Sequence, residues 1–235
     1  MNVLTTIQHK PCVALLIDPD KVNLEKIPAL CQRAERANFS MFLVGGSLVF
    51  NDINVVVQEI KKASTLPVYL FPGSTYQLSP YADGIFFTSL VSGRNAEYLI
   101  GQQVIAAPIL KRFAMDVIPV AYILIDGGCH TSVEYMSHTH PIPQEKTDII
   151  LATAIAAEML GFKMIYLEAG SGAIHPVSPT IIRTISKQVS IPVAVGGGIK
   201  NASMLNECFQ NGANLAVIGT AIEEDVNNID CFRVE

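Results

Sequence analysis

The chain has 235 residues, 50% of them hydrophobic and 16% charged, and a net charge of −5. That balance excludes a disordered chain, and an acidic excess without any Lys/Arg run excludes a nucleic-acid-binding surface. A chain this long buries roughly 70–75% of its unfolded surface and folds without a disulfide or metal staple.

Apolar runs stop well short of the ~20 residues a membrane-spanning helix needs. The first eleven residues contain no apolar h-region of a signal peptide. Five cysteines with no C-x-x-C pair read as reduced, mostly buried thiols, and the expected location is the cytoplasm.

Short, nearly continuous apolar runs predict strands at 12–17, 41–44, 68–71, 84–88, 117–125, 164–167, 193–195 and 215–218. Strands apolar on both faces belong to a parallel sheet covered by helices. Helical segments lie between most of them, at 24–37, 51–63, 96–113, 146–160, 179–188 and 202–211. Eight strands spread over the whole chain favour a (β/α)8 TIM barrel over an open sheet. No linker or charge block divides residues 1–235, so a single domain is expected.

Two places break the rhythm. Residues 72–83 carry Pro72, Gly73 and Pro80, poor material for a crossover helix, so the third barrel helix is expected to be an irregular segment. Residues 126–144 form a long loop with Gly127-Gly128, three histidines and two prolines. Loops of that length are usually lids or binding loops.

In a barrel the chemistry sits at the C-terminal ends of the strands. The last two strands end in Gly196-Gly197-Gly198 and Gly219-Thr220. Glycines let backbone N–H groups approach an anion, and two such loops on adjacent strands make a phosphate site. At the other side, Asp18, Asp20 and Ser47 offer hard oxygen ligands of the kind Mg²⁺ takes alongside phosphates. Asp20 reads equally well as a helix cap.

Glu168, ending the sixth strand between the two anion sites, can accept a substrate hydroxyl's proton, or make a structural ion pair. Cys129, His130, His138 and His140 match no zinc-finger spacing and read as a polar loop. Tyr69, Phe71, Phe86, Phe87 and Tyr122 read as packing, some of them lining an apolar groove.

Taken together, Ile17-Asp18-Pro19-Asp20-Lys21, Val44-Gly45-Gly46-Ser47, Tyr166-Leu167-Glu168-Ala169-Gly170-Ser171-Gly172, Val195-Gly196-Gly197-Gly198-Ile199 and Gly219-Thr220 resemble the geranylgeranylglyceryl phosphate synthase family, which includes the heptaprenylglyceryl phosphate synthases. The likeness covers nearly the whole chain in the same order, and its most specific piece is the segment from Tyr166 to Gly172. It implies a modified TIM barrel and a Mg²⁺-dependent prenyltransferase. The reaction would join a polyprenyl diphosphate to the 3-hydroxyl of sn-glycerol 1-phosphate and release diphosphate, the first step of ether phospholipid synthesis.

By matching position, the resemblance puts Mg²⁺ on Asp18 and Ser47. It puts glycerol 1-phosphate on Tyr166, Leu167, Glu168, Ala169, Gly170, Ser171 and Gly172, on Gly197 and Gly198, and on Gly219 and Thr220. Glu168 would orient or deprotonate the attacking hydroxyl. The heptaprenyl branch tends to carry Lys two residues before the metal Asp; Leu16 stands there, which tilts the reading to geranylgeranyl diphosphate. A homo-oligomer, dimer or hexamer, and at most transient membrane contact are expected. The rival readings are a sugar-phosphate isomerase or lyase on the same glycine loops, and a catalytically silent barrel. Neither needs both Asp18 and Glu168.

Overall fold

The computed structural model describes residues 3–233. Eight parallel strands close into a barrel in chain order: β1 (Cys12–Ile17), β2 (Met41–Val44), β3 (Val68–Leu70), β4 (Gly84–Leu90), β5 (Asp116–Leu124), β6 (Met164–Glu168), β7 (Val193–Gly196) and β8 (Leu215–Ile218), with β8 pairing back to β1. The helices are α1 (Val3–His9), α2 (Ile27–Arg36), α3 (Ile53–Ala63), α4 (Gln102–Phe113), α5 (Ser132–Ser137), α6 (Thr147–Met159), α7 (Pro179–Ser186), α8 (Ala202–Gln210) and α9 (Thr220–Glu224). Among the described residues no helix is long and apolar enough to cross a membrane.

Strand alternation sorts the apolar residues into two cores. On β1, Val13, Leu15 and Ile17 point outward against the helices, while Cys12 and Ala14 point into the barrel. Helices of the outer ring close the outer core with an apolar stripe, such as Ile53, Val56, Val57 and Ile60 on α3. The interior is filled by Met41, Leu43, Tyr69, Phe86, Ile118, Val120, Met164 and Tyr166. Val3 and Ile7 of α1 join that set at the N-terminal end of the barrel. Seven residues give too short a run for periodicity to reveal, so α1 went unpredicted.

The irregular segment is as expected: between β3 and β4 the only regular piece is a 3₁₀ turn, Thr75–Gln77. The predicted helix at 24–37 begins as a 3₁₀ turn, Leu24–Lys26, capped by the Asn23 side chain. The one at 96–113 opens with a π turn, Glu97–Gly101. The long loop after β5 is more ordered than a free lid. It contains α5, capped by Thr131, and Ile142 returns to bridge Ile125. Gln144 then laces it to the loop after β6, donating to the carbonyls of Asp126 and Pro176 and accepting the Ser178 N–H.

Candidate active site

One cavity of about 590 Å³ opens at the C-terminal end of the barrel and gathers residues from all around it. The end on β1 and β2 carries Asp18, Gly46 and Ser47; the end on β6, β7 and β8 carries Ser171, Gly197, Gly198, Gly219 and Thr220, and the two adjoin where β8 pairs with β1. Glu168 lies on the β6 wall, against the glycine loops rather than between two separated sites. An apolar arm runs from Phe71 past Phe86, Phe87 and Leu90 to Tyr98 and Ala106 on the helical side.

Glu168 is the last residue of β6, one position beyond the strand end expected from the sequence, and it is 7% exposed. Its Oε1 accepts the Gly170 N–H at 2.6 Å. Burial pushes its carboxyl up to about 7, against the opposing pull of that N–H and of the neighbouring Tyr166 hydroxyl. The Tyr166 hydroxyl is itself fully buried and makes no hydrogen bond of ordinary geometry. Beneath the carboxylate, Tyr166 stacks on Tyr122, with ring centroids 5.3 Å apart and planes 7° from parallel, and Phe71 packs on Tyr166 at 5.0 Å.

The glycine end is shaped around that carboxylate. At Gly197, with φ +80°, a Cβ would stand 2.4 Å from Glu168 Oε1 and 2.6 Å from the Gly170 nitrogen. Only a residue without a side chain fits both the backbone conformation and the space. Ser171 and Thr220 meet across the same end, hydroxyl to hydroxyl at 3.1 Å.

The segment from Tyr166 to Gly172 does not face the cavity as a block. Glu168, Ser171, Gly172 and the Tyr166 ring reach the cavity wall. Leu167 and Ala169 point the other way, into the core between barrel and helices, because strand alternation turns them outward. Neither side chain can touch a ligand in the cavity. Gly170 contributes its N–H to Glu168.

At the other end, Asp18 Oδ1 accepts the Asp20 N–H at 3.0 Å, and Oδ2 lies 3.5 Å from the Lys21 ammonium. Lys21 also pairs with Glu223 at 2.9 Å. Asp20 caps no helix: its carboxylate accepts the N–H groups of Phe50 (2.9 Å) and Asn51 (2.8 Å), fixing the loop after β2, while Asn23 caps the turn after β1 and Asp52 caps α3. In the histidine-bearing loop, Glu134 sits between His130 (3.3 Å) and His140 (3.7 Å), whose rings are almost fully exposed. Among the described residues no three His, Cys, Asp or Glu side chains are grouped to hold a metal ion.

Sequence reasoning missed several residues in and behind the cavity wall. Gln102 and Gln103 line the cavity at the start of α4, and Gln77, buried behind the wall, bonds the irregular segment to Gly46. Lys200 lines the mouth beyond Gly198. No motif marks these positions, and only the fold brings them to the site.

The sequence model of the PcrB family matches residues 5–234. The chain belongs to the PcrB family. It is 47% identical over 239 residues to a geranylgeranylglyceryl phosphate synthase from Flavobacterium johnsoniae, covering 97% of this chain and 98% of that protein. A protein of the same name from Chitinophaga pinensis is 46% identical over 217 residues, covering 92% and 86%. The fold matches the crystal structure of (S)-3-O-geranylgeranylglyceryl phosphate synthase from Thermoplasma acidophilum, in complex with its substrate sn-glycerol-1-phosphate, with a TM-score of 0.92. That match has 34% identity and covers 99% of this chain and 96% of the other.

Proposed function

We propose that the chain is a prenyltransferase that joins geranylgeranyl diphosphate to the 3-hydroxyl of sn-glycerol 1-phosphate, making the ether bond of an ether phospholipid precursor. The relatives' names support the reaction. The observation that carries it is that Glu168 shares one continuous cavity with an oxygen-donor end, a glycine end and an apolar arm. Gly197, Gly198, Gly219, Ser171 and Thr220 would hold the glycerol phosphate. Asp18 and Ser47 would hold the diphosphate through Mg²⁺, and the arm from Phe71 to Ala106 would take the prenyl tail.

The donor set fits that ion. Asp18 Oδ2 faces Gly46, where a Cβ would stand only 3.2 Å away, so a glycine leaves room beside the carboxylate. Mg²⁺ usually takes one or two carboxylates and completes its shell with phosphates and water. When bound, it supplies Lewis-acid neutralisation of the departing diphosphate.

The remaining chemistry belongs to the chain. Glu168, with its carboxyl near 7, is poised to take the proton of the 3-hydroxyl at neutral pH. The freed oxygen forms a bond to C1 of the prenyl chain as the bond from C1 to diphosphate breaks. The proton passes from Glu168 to solvent. Aromatic walls at Phe71, Phe86 and Phe87 exclude water, which would otherwise intercept the allylic centre.

Self-association belongs to the same reading. Ile149, Met159 and Leu160, on α6 or just past its end, are 49, 82 and 77% exposed, and α4 shows Val104 and Ile105. A helix apolar on its outer face is one that another surface covers.

The deciding assay offers prenyl diphosphates of C10 to C35 with sn-glycerol 1-phosphate and Mg²⁺. An ether product peaking at C20 is expected. A peak at C35 would keep the reaction and assign the heptaprenyl branch. No product at any length, with glycerol phosphate still binding, would overturn the reading.

A further inference from the structure

The β2–β3 ladder ends at Val44 and Leu70, with one more bond from the Phe71 N–H to the Val44 carbonyl. The next residues of the loop, Gly45, Gly46 and Ser47, then lie beyond the ladder, yet Gly46 is not left unpaired. Gln77, in the segment that replaces the third barrel helix, is 2% exposed and reaches across to it. Its Nε2 donates to the Gly46 carbonyl at 2.8 Å, and its Oε1 accepts the Gly46 N–H at 3.1 Å. The same Oε1 accepts the Gly73 N–H at 3.3 Å. A single carboxamide thus satisfies both backbone groups of Gly46, as a further strand residue would.

We propose that Gln77 is a positioning residue for the diphosphate end of the cavity, holding the Gly46–Ser47 turn in place against Asp18. The inference rests on the assignment of that end to Mg²⁺ and diphosphate made above.

Three details give the segment its leverage. Gly73 presses directly on the turn: a Cβ there would stand 2.4 Å from the Gly46 carbonyl oxygen and 2.8 Å from that of Ser47. The segment is anchored to α3 through Ser79, whose hydroxyl donates to Asn54 at 2.8 Å. It is anchored to α4 through the Thr75 N–H, which donates to Gln102 at 3.1 Å. A regular helix here would carry its side chains away from the barrel mouth; the irregular path brings a buried amide to it. Buried amides earn their place only when both donor and acceptor are matched, as they are here.

The test compares Gln77→Met, which keeps the volume and removes all three bonds, with the wild type and with Asp18→Asn. Calorimetry reads the binding of geranylgeranyl diphosphate with Mg²⁺, and separately of sn-glycerol 1-phosphate. Thermal melts check that each variant folds.

Expected is a loss of about 10–100-fold in affinity for the Mg²⁺-diphosphate pair, the range for residues that orient metal ligands, with glycerol phosphate within about twofold of wild type. Gly73→Ala loads the same turn from the other side and should give the same split. It decides the matter if Gln77→Met does not fold. Wild-type diphosphate binding in the Gln77 variant, alongside its loss in Asp18→Asn, would overturn the positioning role. Equal weakening of both ligands would overturn it too, by showing a general structural effect. If Asp18→Asn binds diphosphate like the wild type, the assignment of that end falls, and the proposal with it.

Discussion

The two ends of the cavity are built on opposite plans. The end formed by β6, β7 and β8 is made of backbone: Gly197 and Gly198 at positive φ, closed by Ser171 and Thr220. The end formed by β1 and β2 is made of side chains, with Asp18 and Ser47 presented by a loop whose shape depends on Asp20 and Gln77. A backbone site is defined by a few consecutive glycines. A side-chain site needs supporting groups drawn from elsewhere in the chain. The two ends should therefore fail differently when disturbed, while a change at Glu168 should stop the chemistry and leave binding at both.

The largest effect is expected at that shared point. Glu168→Gln keeps the shape and the Gly170 bond but removes the base, so turnover should fall by about 10²–10⁴-fold. Calorimetry should show both ligands still binding. Turnover near that of the wild type would take Glu168 out of the chemistry and leave the two ends without a centre.

Next in size is Gly197→Ala. The new Cβ meets Glu168 and the Gly170 nitrogen in a backbone conformation that disfavours any side chain, at a cost of about 1–3 kcal/mol in stability. KM for glycerol phosphate should rise about tenfold or more, while affinity for the diphosphate holds. A variant that weakened both ligands alike would erase the contrast between the ends.

The most gradual effect is one of pH. Glu168 acts as a base only when ionised, and its carboxyl is pushed up to about 7 by burial, so kcat/KM should rise with pH through about 7. Stability runs the other way. The folded state holds this proton more tightly than the unfolded state, so its contribution is full below the ordinary carboxyl range and is lost as pH rises through about 7. Glu168→Gln lacks that loss, and denaturant titrations should show it gaining on the wild type by up to about 3 kcal/mol between about pH 4 and pH 8. A flat difference would mean that the carboxyl is not raised.

The contrast between the ends also explains what could be read from the residues alone. All eight strands were legible because a parallel strand covered on both faces is a bare apolar run. The missing third helix was legible in Pro72, Gly73 and Pro80, and the glycine end in Gly196, Gly197 and Gly198. Asp20 was ambiguous because an Asp after a strand can ligate or cap a helix, and in the fold it instead holds the Phe50 and Asn51 N–H groups of the next loop. Gln77 was invisible, since its role depends on a contact 31 residues away in sequence. Leu167 and Ala169 sat inside the most specific motif, yet strand alternation faces them away from the cavity.

The stacked pair beneath Glu168 has an optical consequence. The chain has no tryptophan and seven tyrosines, so its near-ultraviolet signal belongs chiefly to phenol rings. Two of them, Tyr122 and Tyr166, are locked almost parallel at 5.3 Å with the carboxylate beside their hydroxyls. Rigid, coupled rings give strong circular dichroism, and a charge appearing next to them changes it. The barrel floor is thus a built-in spectrometer for the proton on Glu168, readable without any label.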